Sequence, residues 1–231
     1  DPATPDRTNR QVFLRRQVAT FNVDMKDGEQ IQFWGFKDPD ISGSDSPWPS
    51  KIIRVKQDQV VHCEFKPTKG AHTIHWHGIE PTPMNDGVGH TSFEVKSSYT
   101  YQWCAHQAGT YLYHCHKNTV LHFEMGMYGV LIVDPVTASP DSGNPKYLYD
   151  PYDPKSTTEA PGITVGAPYA AESILVFDDV DPVWHKLDHN AGMCGDDVGL
   201  DKFNPRYFLI NGVHNGMSQI DRRTVTTTQA G

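Results

Sequence analysis

Residues 17–36, QVATFNVDMKDGEQIQFWGF, read as two β-runs around a turn. The flanks 17–23 and 30–36 are rich in β-branched and aromatic side chains, and Lys26-Asp27-Gly28 between them is a turn signal. The segment therefore predicts an antiparallel hairpin. The same pattern repeats outward from it. The loop 37–50 is rich in Asp, Ser and Pro, and strand-like runs follow at 52–55, 60–65, 72–77, 100–103, 110–116 and 128–133. Short strands with turns between them and no amphipathic helix predict an all-β sandwich over residues 10–136. Residues 1–9 are expected to be a disordered leader. Residues 137–171 are a Pro/Ser/Asp/Gly-rich connector, too long for a tight turn. Strand-like runs return at 173–177 and 207–210, so residues 172–231 read as the start of a second, incomplete domain.

Composition narrows the function. The chain has 231 residues with 20 Lys+Arg against 28 Asp+Glu, a formal net charge of −8. That balance argues against nucleic acid or an anionic membrane as partner, since both require a positive face. Apolar runs such as Ile174-Leu175-Val176-Phe177 are far shorter than the roughly 20 residues of a membrane helix. Four cysteines do not make a disulfide scaffold. The unusual residue is histidine: there are 12, and they concentrate in two short motifs.

The first motif is HTIHWHG, His72 to Gly78; the second is YHCHKNTVLHFEMGM, Tyr113 to Met127. Alternate residues of a strand face opposite sides. His75 and His77 thus share a face that His72 does not, and His114 and His116 share a face opposite Cys115. If the two strands are neighbours, two sites stand back to back. One holds His75, His77, His114 and His116. The other holds His72 and Cys115, with His122 and a methionine, Met125 or Met127, arriving from the following loop. One thiolate, two imidazoles and a weak thioether make the ligand set of a blue-copper electron-transfer centre, and four imidazoles suit copper or zinc. Cys115 is bonded through the chain to both His114 and His116, which points to copper throughout.

These motifs resemble the copper-binding segments of the multicopper oxidases, a cupredoxin-domain family that includes laccases. The resemblance implies a cupredoxin-like Greek-key sandwich. It also implies an enzyme that takes single electrons from a reducing donor at a type 1 copper and reduces dioxygen to water at a trinuclear cluster of type 2 and binuclear type 3 copper. By motif, His72, Cys115, His122 and Met127 resemble the type 1 ligands, the His-to-Met spacing selecting Met127 over Met125. His75 resembles the type 2 ligand, and His77, His114 and His116 resemble type 3 ligands. Asp86, within Asn85-Asp86-Gly87, resembles an acid that relays protons, although the tripeptide is also a good turn. The gap between Cys115 and His122 is longer than in three-domain laccases and resembles two-domain members with type 1 copper in the first domain. The family's cluster uses eight histidines and this chain has four in motif context. The chain is therefore expected to be a fragment, or an oligomer or a second chain is expected to supply the rest, and the family's usual setting implies a periplasmic or extracellular location.

Two rivals stand beside this reading. A copper nitrite reductase shares the architecture, but His116 departs from that family. A non-catalytic blue-copper electron carrier or copper-binding protein would need no cluster. Leu121, Phe123 and Glu124 flank His122 and are expected to line the donor-docking surface. Trp76 reads as core, and His185 and His189 have the i, i+4 spacing of a helical metal pair. His62, His90, His106 and His214 read as surface or structural residues. Cys63, Cys104 and Cys194 allow at most one disulfide.

Overall fold

The hairpin predicted from residues 17–36 is present. Strands β1 (Gln11–Asp24) and β2 (Gln30–Lys37) pair antiparallel from Gln17↔Lys37 to Asp24↔Gln30. Gly28 turns the chain at φ 92°, a left-handed value at which its missing Cβ matters. The computed structural model describes residues 10–25, 27–41, 48–135, 146–147, 168–169, 171–214 and 225–226. The expected leader 1–9 and almost all of the connector 137–171 lie outside the described residues.

The next strands are β3 (Ser50–Lys56), β4 (Val60–Lys66), β5 (His75–His77), β6 (Tyr99–Cys104), β7 (Gly109–His114) and β8 (Tyr128–Asp134). They assemble into two four-stranded sheets, β2-β1-β4-β6 and β3-β8-β7-β5. The first half of β1 pairs parallel with β4, and β3 pairs parallel with β8. Parallel neighbours cannot be joined by tight hairpins, so the chain crosses between the sheets in Greek-key fashion. Alternation supplies the core: Val61, Cys63 and Phe65 of β4 point inward with Ile53 and Val55 of β3, Trp76 of β5, Tyr101 and Trp103 of β6 and Leu131 and Val133 of β8. Each large side chain removed from water contributes about 1.5–3 kcal/mol. The result is the all-β, cupredoxin-like sandwich that the sequence predicts, with Trp76 fully buried as expected.

Four details differ from the sequence reading. Only His75–His77 forms β5, while His72 makes a separate antiparallel bridge to Val95. Strand β7 ends at His114, so Cys115 and His116 lie just beyond it. Among the described residues two short α-helices occur, α1 (Pro83–Asp86) and α2 (Thr119–Glu124), so His122 sits on a helical turn and not in an open loop. The later strand predicted at 173–177 is instead split between β11 (Glu172–Ser173) and β12 (Phe177–Val180), after the short β9 (Lys146–Tyr147) and β10 (Pro168–Tyr169). Strand β13 (Tyr207–Ile210) matches its expectation and pairs with β12 and with β14 (Val213–His214). This region packs directly on the sandwich: Val180, Tyr207 and Leu209 close a second apolar cluster with Met25, Ile31, Phe33 and Trp48.

Candidate metal centres

Strands β5 and β7 are hydrogen-bonded neighbours with His75 opposite His114. That register brings the two histidine motifs together. Three imidazoles, those of His75, His77 and His114, place ligand nitrogens within 4.8 Å of one another. His116 stands at their edge, its ring 5.3 Å from that of His75. On the other side of the strand pair, Cys115 Sγ lies 3.5 Å from His72 Nδ1 and 3.4 Å from His122 Nδ1. The Met127 carbonyl accepts from Cys115 N–H at 3.0 Å, and Met127 N–H donates to the His122 carbonyl at 3.0 Å. Met127 is thereby tied to both ligand candidates, and its side chain is fully buried, as is that of Met125.

Backbone carbonyls decide which nitrogen of each ring is available. A carbonyl only accepts, so the ring nitrogen facing it must carry the proton and the other keeps its lone pair. His72 Nε2 faces the Lys69 carbonyl at 2.9 Å and His122 Nε2 faces the His189 carbonyl at 2.9 Å, which leaves both Nδ1 lone pairs directed at Cys115 Sγ. His75 Nδ1 faces the Asp86 carbonyl at 2.8 Å and His114 Nδ1 faces the Cys115 carbonyl at 3.0 Å, which leaves their Nε2 atoms free to bind. His77 Nδ1 and His114 Nε2 lie 3.3 Å apart, close enough to share one proton or flank one cation. Such outer hydrogen bonds orient metal-binding histidines.

Burial sets the charge state. Desolvation lowers the His72 pKa to about 2 and those of His114 and His122 to about 4, so all three imidazoles are neutral near pH 7. Burial also pushes the Cys115 thiol up to about 11, so a cation entering there must displace its proton. A sulfur beside two neutral imidazole lone pairs is a donor set that fits copper. The grouped imidazoles on the other side fit it too.

Asp86 is the C-terminal residue of α1, and its carboxylate Oδ1 lies 3.1 Å from His75 Nδ1. The glycine after it, Gly87, has φ 69°, and a Cβ there would lie 1.8 Å from the Ile74 carbonyl oxygen. Asn85-Asp86-Gly87 is therefore both a turn and a support for His75.

The expected docking surface around His122 is not formed. Leu121 is fully buried, and Glu124 turns inward to accept from Asp181 N–H at 2.8 Å, with His185 Nε2 at 3.5 Å. Phe123 stacks on Tyr128 and lines a hollow with His77. The cause is residues 184–191, which cross over the site. His189 lays its ring 4.7 Å from those of both His72 and His122, and Trp34 approaches His122 at 5.2 Å. His185 turns away to the Gln32 carbonyl at 2.6 Å, so it forms no metal pair with His189. His72 instead borders a cleft of about 670 Å³ with Trp34, Lys69, Asp188 and His189. Sequence reasoning missed Trp34, and it missed His189 as a cover; contacts between segments so distant in the chain carry no local signal. All four cysteines are free thiols.

Residues 26–138 match the family model for multicopper oxidase. The chain is 32% identical over 135 residues to L-ascorbate oxidase of Cucumis sativus, a match covering 52% of this chain and 21% of that protein. It is 26% identical over 155 residues to the copper-containing nitrite reductase of Neisseria meningitidis serogroup B, covering 64% of this chain and 37% of that protein. In structure it resembles the blue copper oxidase of Nitrosomonas europaea, with a TM-score of 0.60 and 25% identity, over 87% of this chain and 54% of that one. The chain thus spans well under half the length of these curated relatives.

Proposed function

Because this chain carries a multicopper oxidase domain, we propose that it takes single electrons from a reducing donor at a type 1 site and contributes half of a trinuclear site that reduces dioxygen to water. One observation carries the reading: Cys115 Sγ stands 3.4–3.5 Å from two imidazoles while its covalent neighbours, His114 and His116, belong to a second group of imidazoles. Bound copper supplies one-electron transfer at the first site and dioxygen reduction at the second. His72, Cys115, His122 and Met127 hold the type 1 ion. His75 serves as type 2 ligand, and His77, His114 and His116 serve as type 3 ligands. The peptide bonds flanking Cys115 give the two sites a short covalent link. Reducing one dioxygen to two waters consumes four protons and four electrons, and Asp86 stands beside His75 to relay protons.

The donor is a phenol, an aryl amine or a metal ion, and it approaches through the cleft bordered by His72, where Asp188 offers a carboxylate to a cationic or hydrogen-bonding donor. Of the two imidazoles beside Cys115 it is His72 that lines this cleft, so His72 is the ligand through which electrons enter. Residues 10–136 form the type 1 domain and residues 172–231 begin a second cupredoxin domain. The other four cluster histidines lie outside residues 1–231, in a continuation of the chain, a partner copy or a second chain, and the protein works in the periplasm or outside the cell. Among the described residues no helix is long and apolar enough to cross a membrane.

The likeness to nitrite reductase favours a second reading, in which the imidazole group never completes an oxygen-reducing cluster. His116, a fourth imidazole at the group's edge, stands against it. Copper per chain, measured with an electron paramagnetic resonance spectrum of the same copper-loaded sample, separates the two. About four coppers with both type 1 and type 2 signals supports the oxidase. About one copper with a type 1 signal alone overturns it in favour of the second reading.

A further inference from the structure

At the far end of the sandwich from the histidine clusters, three metal-binding side chains meet that the oxidase reading does not use. Asp58 lies in the turn between β3 and β4, Cys104 ends β6, and His106 follows two residues later. A carboxylate oxygen, the thiol sulfur and an imidazole nitrogen of these residues all lie within 4.8 Å of one another. His106 precedes β7 and His114 ends it, so the five residue steps of that strand alone put this group about 17 Å from the copper ligands.

The three donors are held together by backbone. Asp58 N–H donates to the Ala105 carbonyl at 2.7 Å, and Ala105 N–H donates to the Gln59 carbonyl at 2.9 Å. Gln57 Nε2 donates to the His106 carbonyl at 3.1 Å, and the β4–β6 ladder begins one residue on, at Val60↔Cys104. The two turns are laced to each other, which holds the backbones that carry the three donors in one place. Asp58 itself sits at φ 64°, a left-handed conformation that aspartate tolerates better than most residues.

The donor types narrow the ligand. Thiol and imidazole argue against Mg²⁺ and Ca²⁺, which take oxygen ligands. Sulfur, nitrogen and oxygen together suit Zn²⁺, and three protein ligands leave a fourth position for water. A nucleophilic cysteine paired with histidine is the competing use of such a group. Burial and the Asp58 charge both raise the Cys104 thiol pKa, the opposite of what activates a nucleophile. We propose that Asp58, Cys104 and His106 form a zinc site with three protein ligands and one position open to water. Binding replaces the Cys104 thiol proton with Zn²⁺ and releases that proton to solvent.

The test titrates Zn²⁺ into the copper-loaded full chain and counts zinc retained after desalting, in the wild type and in Cys104→Ser, His106→Ala and Cys194→Ser. The expected result is one more zinc per chain in the wild type and in Cys194→Ser than in the other two variants, whose affinity falls about 10–100-fold or more. Zinc should also protect Cys104 from alkylation. Equal zinc in all four proteins, or alkylation of Cys104 unaffected by zinc, overturns the proposal. His106→Ala changes an exposed side chain and keeps the test valid if Cys104→Ser fails to fold. The measurement is a difference between proteins with the same copper content, so it stands or falls independently of the oxidase reading.

Discussion

At the residue scale, the candidate histidine ligands depend on what the second ring nitrogen touches. Four of the six imidazoles in the two motifs are oriented by a backbone carbonyl, and that carbonyl selects the lone pair offered to a metal. Replacing Cys115 with Ser removes the sulfur from the pair of imidazoles. The Cys115→Ser protein is expected to lose its blue absorption and its donor oxidation while keeping copper among His75, His77 and His114; visible spectra and copper counts check this. Asp86→Asn keeps the backbone carbonyl that holds His75 but removes the proton-accepting charge. Dioxygen turnover should fall about 100-fold or more with the blue band unchanged, as stopped-flow reoxidation would measure. Asp178 presents a different case. Burial raises its carboxyl pKa to about 7, well above its unfolded value. Between about pH 4 and 7 the folded protein therefore binds more protons than the unfolded chain, and stability falls as pH rises through that window. Relative to Asp178→Asn, the wild type should lose roughly 1–3 kcal/mol between pH 5 and 8, read from urea midpoints.

At the element scale, two connections set the site more than the strands do. Helix α1 ends at Asp86, and Gly87 lets the chain pass against the Ile74–His75 backbone. Gly87→Ala places a methyl group on the Ile74 carbonyl and demands a left-handed backbone from alanine. A loss of roughly 2–4 kcal/mol is expected, with copper lost from the His75 side before the blue signal fades. Thermal melts and electron paramagnetic resonance of one sample would follow both. The hairpin of β1 and β2 was legible because its turn signal and alternation are local. The ends of β5 and β7 were not, because His72 finds its partner in Val95 and the chain after His114 is held by Thr73, whose Oγ1 accepts from His116 N–H at 2.9 Å. Helix α2 was also missed. Its six residues are too few to set up a helical periodicity.

At the scale of the whole molecule, the chain groups the imidazoles of His75, His77, His114 and His116 and screens the His72–Cys115–His122 group with residues 184–191. If the missing histidines come from a partner, copper in the cluster should depend on assembly. Sedimentation and electron paramagnetic resonance across one dilution series should then show the type 2 signal lost as the assembly dissociates, with the blue signal retained. The two histidine groups and the Cys115 link between them were readable from residues 72–78 and 113–127, because donor chemistry belongs to the side chain and alternation within a strand such as His75–His77 is a local rule. The pairing of those strands, the carbonyls that choose each tautomer and the cover provided by His189 and Trp34 were decided only by tertiary structure. Every backbone carbonyl is chemically alike, and contacts such as the 67 residues between His122 and the His189 carbonyl exist only once the sandwich has closed.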